Sequence, residues 1–358
     1  MSPLILTPQA PVLIVPPPAP KREYIGRVGF KEYYREPIQD KQTGLWRWGV
    51  SWRVPDEREA VRAPKGRKIA GADFSQIEVK IMAWLSQDPF LISAVNSGKD
   101  IHCYMASEIK GIPYAEFYAG YKNDGHEKHK EYSAIRSRIK TTTFGIPYGA
   151  SALRVAAMTG MEVEEAEAFI EEYFAKASIL KAWLDEIRHR AIADGITRSA
   201  KGRMRSYNVP HRYDPNYRKL LSQIERYAGN QPIQSTCADM LKLALYQFYL
   251  ALRGCADFFY SVHNDGRING PRLYNARVVL CAHDEIVTEC DESDAGTSKD
   301  PGPVPQLLVR SMEWAYNQME TQIREWDALE NSWVRKTISL NQLRNKVDVV
   351  VADYWSKG

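Results

Sequence analysis

The stretch Gly71-Ala72-Asp73-Phe74-Ser75-Gln76-Ile77-Glu78-Val79-Lys80 changes its hydrophobic period halfway along. An apolar lead-in, Lys68-Ile69-Ala70, reaches a lone carboxylate at Asp73 and a polar turn at Ser75-Gln76. From there Ile77, Ile81, Met82 and Leu85 recur with the spacing of an amphipathic helix. The fold must therefore place a strand and a helix back to back, with Asp73 at the strand end. Strand ends are common places for sites, because a rigid element aims the side chain. Taken alone, such a carboxylate serves more often as a helix cap or a surface charge.

Two later stretches change that weighting. In Arg136-Ser137-Arg138-Ile139-Lys140-Thr141-Thr142-Thr143-Phe144-Gly145-Ile146-Pro147-Tyr148-Gly149, the residues Arg136, Lys140, Phe144 and Tyr148 fall four apart, along one helical face. Two cations followed by two rings suit a nucleoside triphosphate, the cations taking phosphates and the rings base and sugar. In Arg277-Val278-Val279-Leu280-Cys281-Ala282-His283-Asp284-Glu285-Ile286-Val287-Thr288-Glu289, apolar runs flank His283-Asp284-Glu285, as in a buried hairpin with a polar tip.

Together these stretches resemble the three motifs of family A DNA polymerases. Asp73-Phe74-Ser75-Gln76-Ile77-Glu78 is similar to motif A, residues 136–149 to motif B and His283-Asp284-Glu285 to motif C, in the family's order. The resemblance runs from about Val50 to the C-terminus. It implies an α+β, right-hand polymerase fold, with an antiparallel palm sheet and mostly helical fingers. The implied division is a Pro-rich tail at 1–22, a reduced N-terminal segment at 23–67, palm with motif A at 68–105, fingers with motif B at 106–200, and palm with motif C and a C-terminal strand at 201–358.

Composition is compatible with that reading. The chain has 358 residues, 44% of them hydrophobic, and a net charge of +4, mildly basic and compatible with a nucleic-acid partner without showing one. Five Cys are scattered without a Cys-x-x-Cys pair, which argues for reduced thiols in a cytosolic compartment. No apolar run is long enough to span a membrane, and no signal peptide is expected. Residues 3–20 are Pro-rich and read as an extended tail. Basic residues interleaved with Tyr24, Tyr33, Tyr34, Trp46, Trp48 and Trp52 fit a nucleic-acid grip and a solvated subdomain surface equally.

Several departures from the family stand out. Only 72 residues precede Asp73, too few for the family's thumb and exonuclease, and the Gln-Asn-Ile-Pro signature is replaced by Ser51-Trp52-Arg53-Val54-Pro55. Trp84 stands where the family has His, and Ser137 and Thr143 alter motif B. The expectation is a short phage-type or split form, with a second chain carrying thumb or exonuclease as a partner. Helix is expected to about Ser86, in segments over 155–189 and over 307–329, with a loop over 291–306 and a strand over 347–355.

The resemblance implies a DNA-directed DNA polymerase acting on primer-template DNA and dNTPs, with two Mg²⁺ held by Asp73, the carbonyl of Phe74, and Asp284. Glu285 and His283 support the chemistry. Gln76, Glu78, His102, Arg136, Lys140, Phe144 and Tyr148 would bind the nucleotide, with Arg136, Lys140 and His102 neutralising its phosphates and Glu78 excluding a 2′-hydroxyl. Arg203, Arg205, Arg226, Asn230 and Gln234 would contact DNA. No proofreading is expected, and the bacterial cytoplasm is the expected compartment. A single-subunit RNA polymerase, a metal nuclease and a non-catalytic nucleic-acid-binding remnant are the competing readings. His126-Glu127-Lys128-His129, crowded by Lys, reads as a solvated loop rather than a metal site.

Overall fold

The computed structural model describes residues 23–28, 31–39, 46–53, 57–145, 149–254, 273–327 and 332–356. The Pro-rich tail, Cys255 and Tyr148 lie outside the described residues. The chain divides into two compact units. The first runs through Arg62 and takes in Tyr354–Ser356. Its strands β1 (Glu23–Val28), β2 (Lys31–Gln39) and β3 (Trp46–Arg53) form an antiparallel meander.

The second unit begins with β4 (Arg67–Phe74), α1 (Ile77–Ser86), α2 (Pro89–Asn96), α3 (Ile101–Lys110), α4 (Tyr114–Lys122) and α5 (His129–Gly145). It continues through α6 (Ala152–Thr159), α7 (Val163–Lys176), α8 (Ser178–Ala193), the short pair β5 (Ile196–Arg198) and β6 (Met204–Ser206), and the 35-residue α9 (Tyr217–Ala251). It ends with β7 (Ala276–Ala282), β8 (Glu285–Asp291), α10 (Glu292–Ala295), α11 (Pro303–Asn317), β9 (Glu320–Asp327), β10 (Ser332–Ser339) and β11 (Val347–Ala352).

Four of these strands build one antiparallel sheet in the order β11-β4-β8-β7. This is the α+β arrangement expected, with one antiparallel sheet and a largely helical remainder. Alternation assigns the faces. Ala72 and Phe74 of β4 and Ile286 and Cys290 of β8 belong to the main apolar core, and Val347, Val349 and Val351 of β11 pack against it. The other face carries Gly71, Asp73, Glu285 and Asp348. A central strand is covered on both sides, so β8 is buried from Glu285 to Cys290.

Local chemistry sets the helix ends. Gln76 takes a left-handed φ of 53° between β4 and α1, and Gln87 takes 58° to end α1. Helix α1 ends at Ser86 as expected, and Asp88-Pro89 then starts α2. Asp88 caps α2 through Phe90 N and Leu91 N, Pro89 opens the helix, and the other Asp88 oxygen accepts from Leu180 N at 2.8 Å. Asp100 caps α3, and Gly111 closes it with φ 66°. Helix α9, about 52 Å long at 1.5 Å per residue, packs against α1, α8 and α11 and carries a buried Pro232 within its span.

One expected element is corrected. Residues 307–329 are not one helix: α11 ends at Asn317, and Glu320–Asp327 pairs with Ser332–Ser339. The expected loop over 291–306 also contains α10 and the start of α11. Among the described residues, no helix is long and apolar enough to cross a membrane.

Candidate active site

The site begins with strand register. Asp73 is directly opposite Glu285 of β8 on one side and Asp348 of β11 on the other, and Glu285 is opposite Ala282 of β7. Directly opposed residues of antiparallel strands share a face, with Cβ atoms about 5 Å apart. The sheet therefore lines up Asp348, Asp73 and Glu285 in one row. Between β7 and β8 the chain turns on two residues, His283 and Asp284. A two-residue hairpin needs a left-handed first residue; His283 supplies it with φ 56°, and histidine enters that region more readily than most side chains. The carbonyl of Asp284 accepts from Phe74 N at 3.3 Å, which pins the turn to the end of β4. His283 is exposed, Asp284 and Asp73 are half-buried, and Glu285 is buried.

Gly71 makes room for this row. A Cβ there would lie 2.8 Å from Oε1 of Glu285, so the carboxylate rests over the glycine. Nothing in the local sequence period marks that requirement. Lys80, on α1, is 4% exposed, and its Nζ has no hydrogen-bond partner. It sits 5.8 Å from the Tyr316 ring centroid. Burial pushes its ammonium down to about 8, a shift opposed by Asp348.

Glu78 lies in the first turn of α1, where its carboxylate accepts from Nε2 of Gln234 on α9. Burial is the main cause of its raised pKa, and the charge of Asp284 adds to it. Cys237, on the same helix as Gln234, responds to Asp284 and Glu78 after burial and is pushed up to about 12. Glu78, Gln234, Cys237 and the His283-Asp284 turn are thus neighbours.

The helical face on α5 behaves differently. Arg136 is held by Asp100, with Nε to Oδ1 at 3.2 Å and Nη2 to Oδ2 at 2.7 Å, and its guanidinium lies 4.8 Å from the Tyr121 ring centroid. Asp100 simultaneously accepts from Cys103 N at 2.9 Å. Lys140 is exposed. His102 is 2% exposed, packs edge-on to Phe144 at 5.7 Å, and its Nδ1 has no hydrogen-bond partner. Burial, with Arg136 adding, pushes His102 down to about 4. Without a ligand, a ring held this way is neutral at pH 7 and meets a phosphate first as a hydrogen-bonding group.

The residues expected to contact DNA are spread along α9 and beside β6. Arg203 is bound by Asp239, which also accepts from Ser199 Oγ at 2.6 Å. Arg205 lies 4.8 Å from the Tyr227 ring centroid, and Arg226 donates to Ser222 Oγ at 2.9 Å. Asn230 Oδ1 is buried without a hydrogen-bond partner. Gln76 sits half-buried at the turn into α1. The reading of residue types missed Gly71, Asp239, Asp348 and the pairing of Asp100. Asp348 had a signal, being the one carboxylate inside Val347-Asp348-Val349-Val350-Val351.

Among the described residues, no group of three or more His, Cys, Asp or Glu could hold a metal ion unaided. Asp73 and Asp284 are hard oxygen donors at adjoining positions. That suits Mg²⁺, which commonly takes one or two carboxylates and completes its shell with water and substrate phosphates.

Comparison with known proteins gives a consistent picture. A family profile described as DNA polymerase family A matches residues 51–325. DNA polymerase I of Pseudomonas aeruginosa is 33% identical over 235 residues, covering 66% of this chain and 22% of that protein. The thermostable DNA polymerase I of Thermus aquaticus is 31% identical over 261 residues, covering 72% of this chain and 26% of that protein. The chain thus spans well under half the length of the curated relatives it matches. Among solved structures, the POL domain of Pol1 from M. smegmatis, in complex with DNA primer-template and dNTP, superposes with a TM-score of 0.60 at 25% identity, over 90% of this chain and 48% of that one.

Proposed function

We propose, since this chain belongs to DNA polymerase family A, that it adds deoxynucleotides to a primer 3′-hydroxyl under the direction of a template. The observation that supports this most is the meeting of Asp73 with the His283-Asp284-Glu285 turn across one strand pair. These stretches are more than 200 residues apart in sequence, and a chain that merely bound nucleic acid would have no need to bring two carboxylate-bearing stretches to one sheet end.

In this reading Asp73, the carbonyl of Phe74 and Asp284 would hold two Mg²⁺. When bound, the metal supplies charge neutralisation for the triphosphate and a lower pKa for the attacking hydroxyl. The chain's own residues do the rest. Lys140, exposed on α5, meets the phosphates, and Arg136 joins it on leaving Asp100. His102 donates a hydrogen bond. Phe144 stacks on the nucleotide, Gln76 borders its pocket and Glu78 excludes a 2′-hydroxyl. Glu285 and His283 keep the primer end aligned. Arg203, Arg205, Arg226 and Asn230 face primer-template DNA. Tyr148, which lies outside the described residues, is assigned to nucleotide binding from the sequence alone. The segments 68–105 and 201–358 serve as palm and 106–200 as fingers. Synthesis proceeds without proofreading by these residues, in the cytoplasm.

The test is primer extension with one dNTP at a time on templates differing in the next base. Incorporation that follows the template is expected. Binding of primer-template with no incorporation would leave the binding-remnant reading. Activity restored only by adding a second chain with a thumb would assign this chain to a split polymerase. Release of a mismatched primer terminus by the pure chain would overturn the absence of proofreading.

A further inference from the structure

Gln234 stands apart from the other polar residues of its helix face. Its position on α9 suits minor-groove acceptors, yet its Nε2 donates across the molecule to Glu78, 156 residues away in sequence. Glu78 is the carboxylate placed against the sugar in the reading above, on which this inference rests. A glutamate side chain has three torsions to be fixed, and the hydrogen bond that the Glu78 carboxylate accepts from Gln234 comes from another helix. Its neighbours include the amide of Gln234, the His283-Asp284 turn that acts on it electrostatically, and Cys237, 4% exposed.

The chemistry of that contact bears on sugar choice. A free carboxylate oxygen would welcome a 2′-hydroxyl, since hydroxyls donate to carboxylates and such charge-assisted bonds are strong. A carboxylate oxygen already receiving an amide N–H, and held in place by it, offers less acceptor capacity and an unyielding wall. A ribose would have to shed water from its hydroxyl without a full replacement, and an unsatisfied buried donor is costly.

We propose that Gln234 is a positioning residue for sugar selection: its amide holds the Glu78 carboxylate in the place a 2′-hydroxyl would need, and so joins the helix that lies along the primer-template to the choice of deoxyribose. Donation to Glu78 also withdraws one amide hydrogen of Gln234 from the minor groove.

The experiment compares kcat/KM for a dNTP and the matching rNTP in the wild-type chain, Glu78→Ala, Gln234→Leu and the double variant. Leu keeps the size and helix propensity of Gln while removing the donor. Glu78→Ala is expected to raise relative ribonucleotide use roughly 10²-fold, and Gln234→Leu roughly tenfold. The double variant should match Glu78→Ala alone, because the amide has nothing left to hold. An unaltered ratio in Gln234→Leu beside a raised ratio in Glu78→Ala would overturn the inference while leaving the sugar role of Glu78 intact. Equal losses for both sugars in Gln234→Leu would overturn it too, as a DNA contact or a structural role would give that result. An unaltered ratio in Glu78→Ala would remove the sugar reading, and the inference with it.

Discussion

The sheet end and the α5 face are both built from widely separated segments, but different forces assemble them. At the sheet end, backbone register does the placing. Once β4 pairs with β8 and β11, Asp73 has Glu285 and Asp348 beside it whatever their side chains prefer, and a one-residue slip would send all of them to the other face. On α5, side-chain pairing dominates. Helical spacing aligns Arg136 with Lys140 and Phe144, but a carboxylate 36 residues away decides what Arg136 touches. A register-built site is pre-formed and tolerates few changes. A pairing-built site must exchange partners when a ligand arrives.

The strongest way to sharpen that contrast is to remove a carboxylate without disturbing register. Asp73→Asn keeps size and strand pairing, and extension is expected to fall by about 10³-fold or more while the unfolding midpoint stays nearly constant. Quench-flow rates beside thermal melts check both halves. Next in size is Gly71→Ala. Its methyl would meet Glu285 Oε1 at 2.8 Å and push a buried carboxylate aside, for an expected loss of about tenfold in rate and about 1–2 kcal/mol of stability. Full activity in that variant would show that the position of Glu285 does not matter.

The other side of the comparison is tested at Asp100. Asp100→Asn retains the α3 cap, because Asn caps as well as Asp, but weakens the grip on Arg136. The expected result is a KM for dNTP lowered a few-fold, with stability reduced by about 1–3 kcal/mol through loss of the charge-assisted pair. A raised KM would instead make Asp100 the residue that aims Arg136 at the phosphates.

The smallest effect concerns His102. Its pKa is depressed from 6.5 to about 4, so between those values the unfolded chain binds more protons than the folded one. The stability this contributes is therefore complete above pH 6.5 and is lost as pH falls toward 4, by up to about 3 kcal/mol. Denaturant melts across that window should show a shallower slope in His102→Gln than in the wild type. Identical slopes would mean that the buried ring titrates normally.

The same contrast explains what could be read from sequence. The strand-turn-helix at Asp73 and the hairpin at His283-Asp284 are local changes of period, and they appear in the structure at the residues that carry them. The Asp100–Arg136 and Gln234–Glu78 pairings are long-range, and no local pattern encodes them. Residues 320–327 misread as helix because Ile323 and Trp326 have helical spacing. Antiparallel pairing with Ser332–Ser339, which begins five residues after Asp327, decides the matter, and helical spacing within 320–327 alone does not reveal it. Asp348 was visible as a charge in an apolar strand, but its place beside Asp73 needed the sheet order.

The most direct measurement is Mg²⁺-dependent primer extension by the wild-type chain and by Asp284→Ala, with primer-template binding followed in both. Template-directed extension in the wild type, abolished in the variant while binding persists, is the predicted result. Equal extension by the two proteins would contradict the assignment of the site to the end of this sheet.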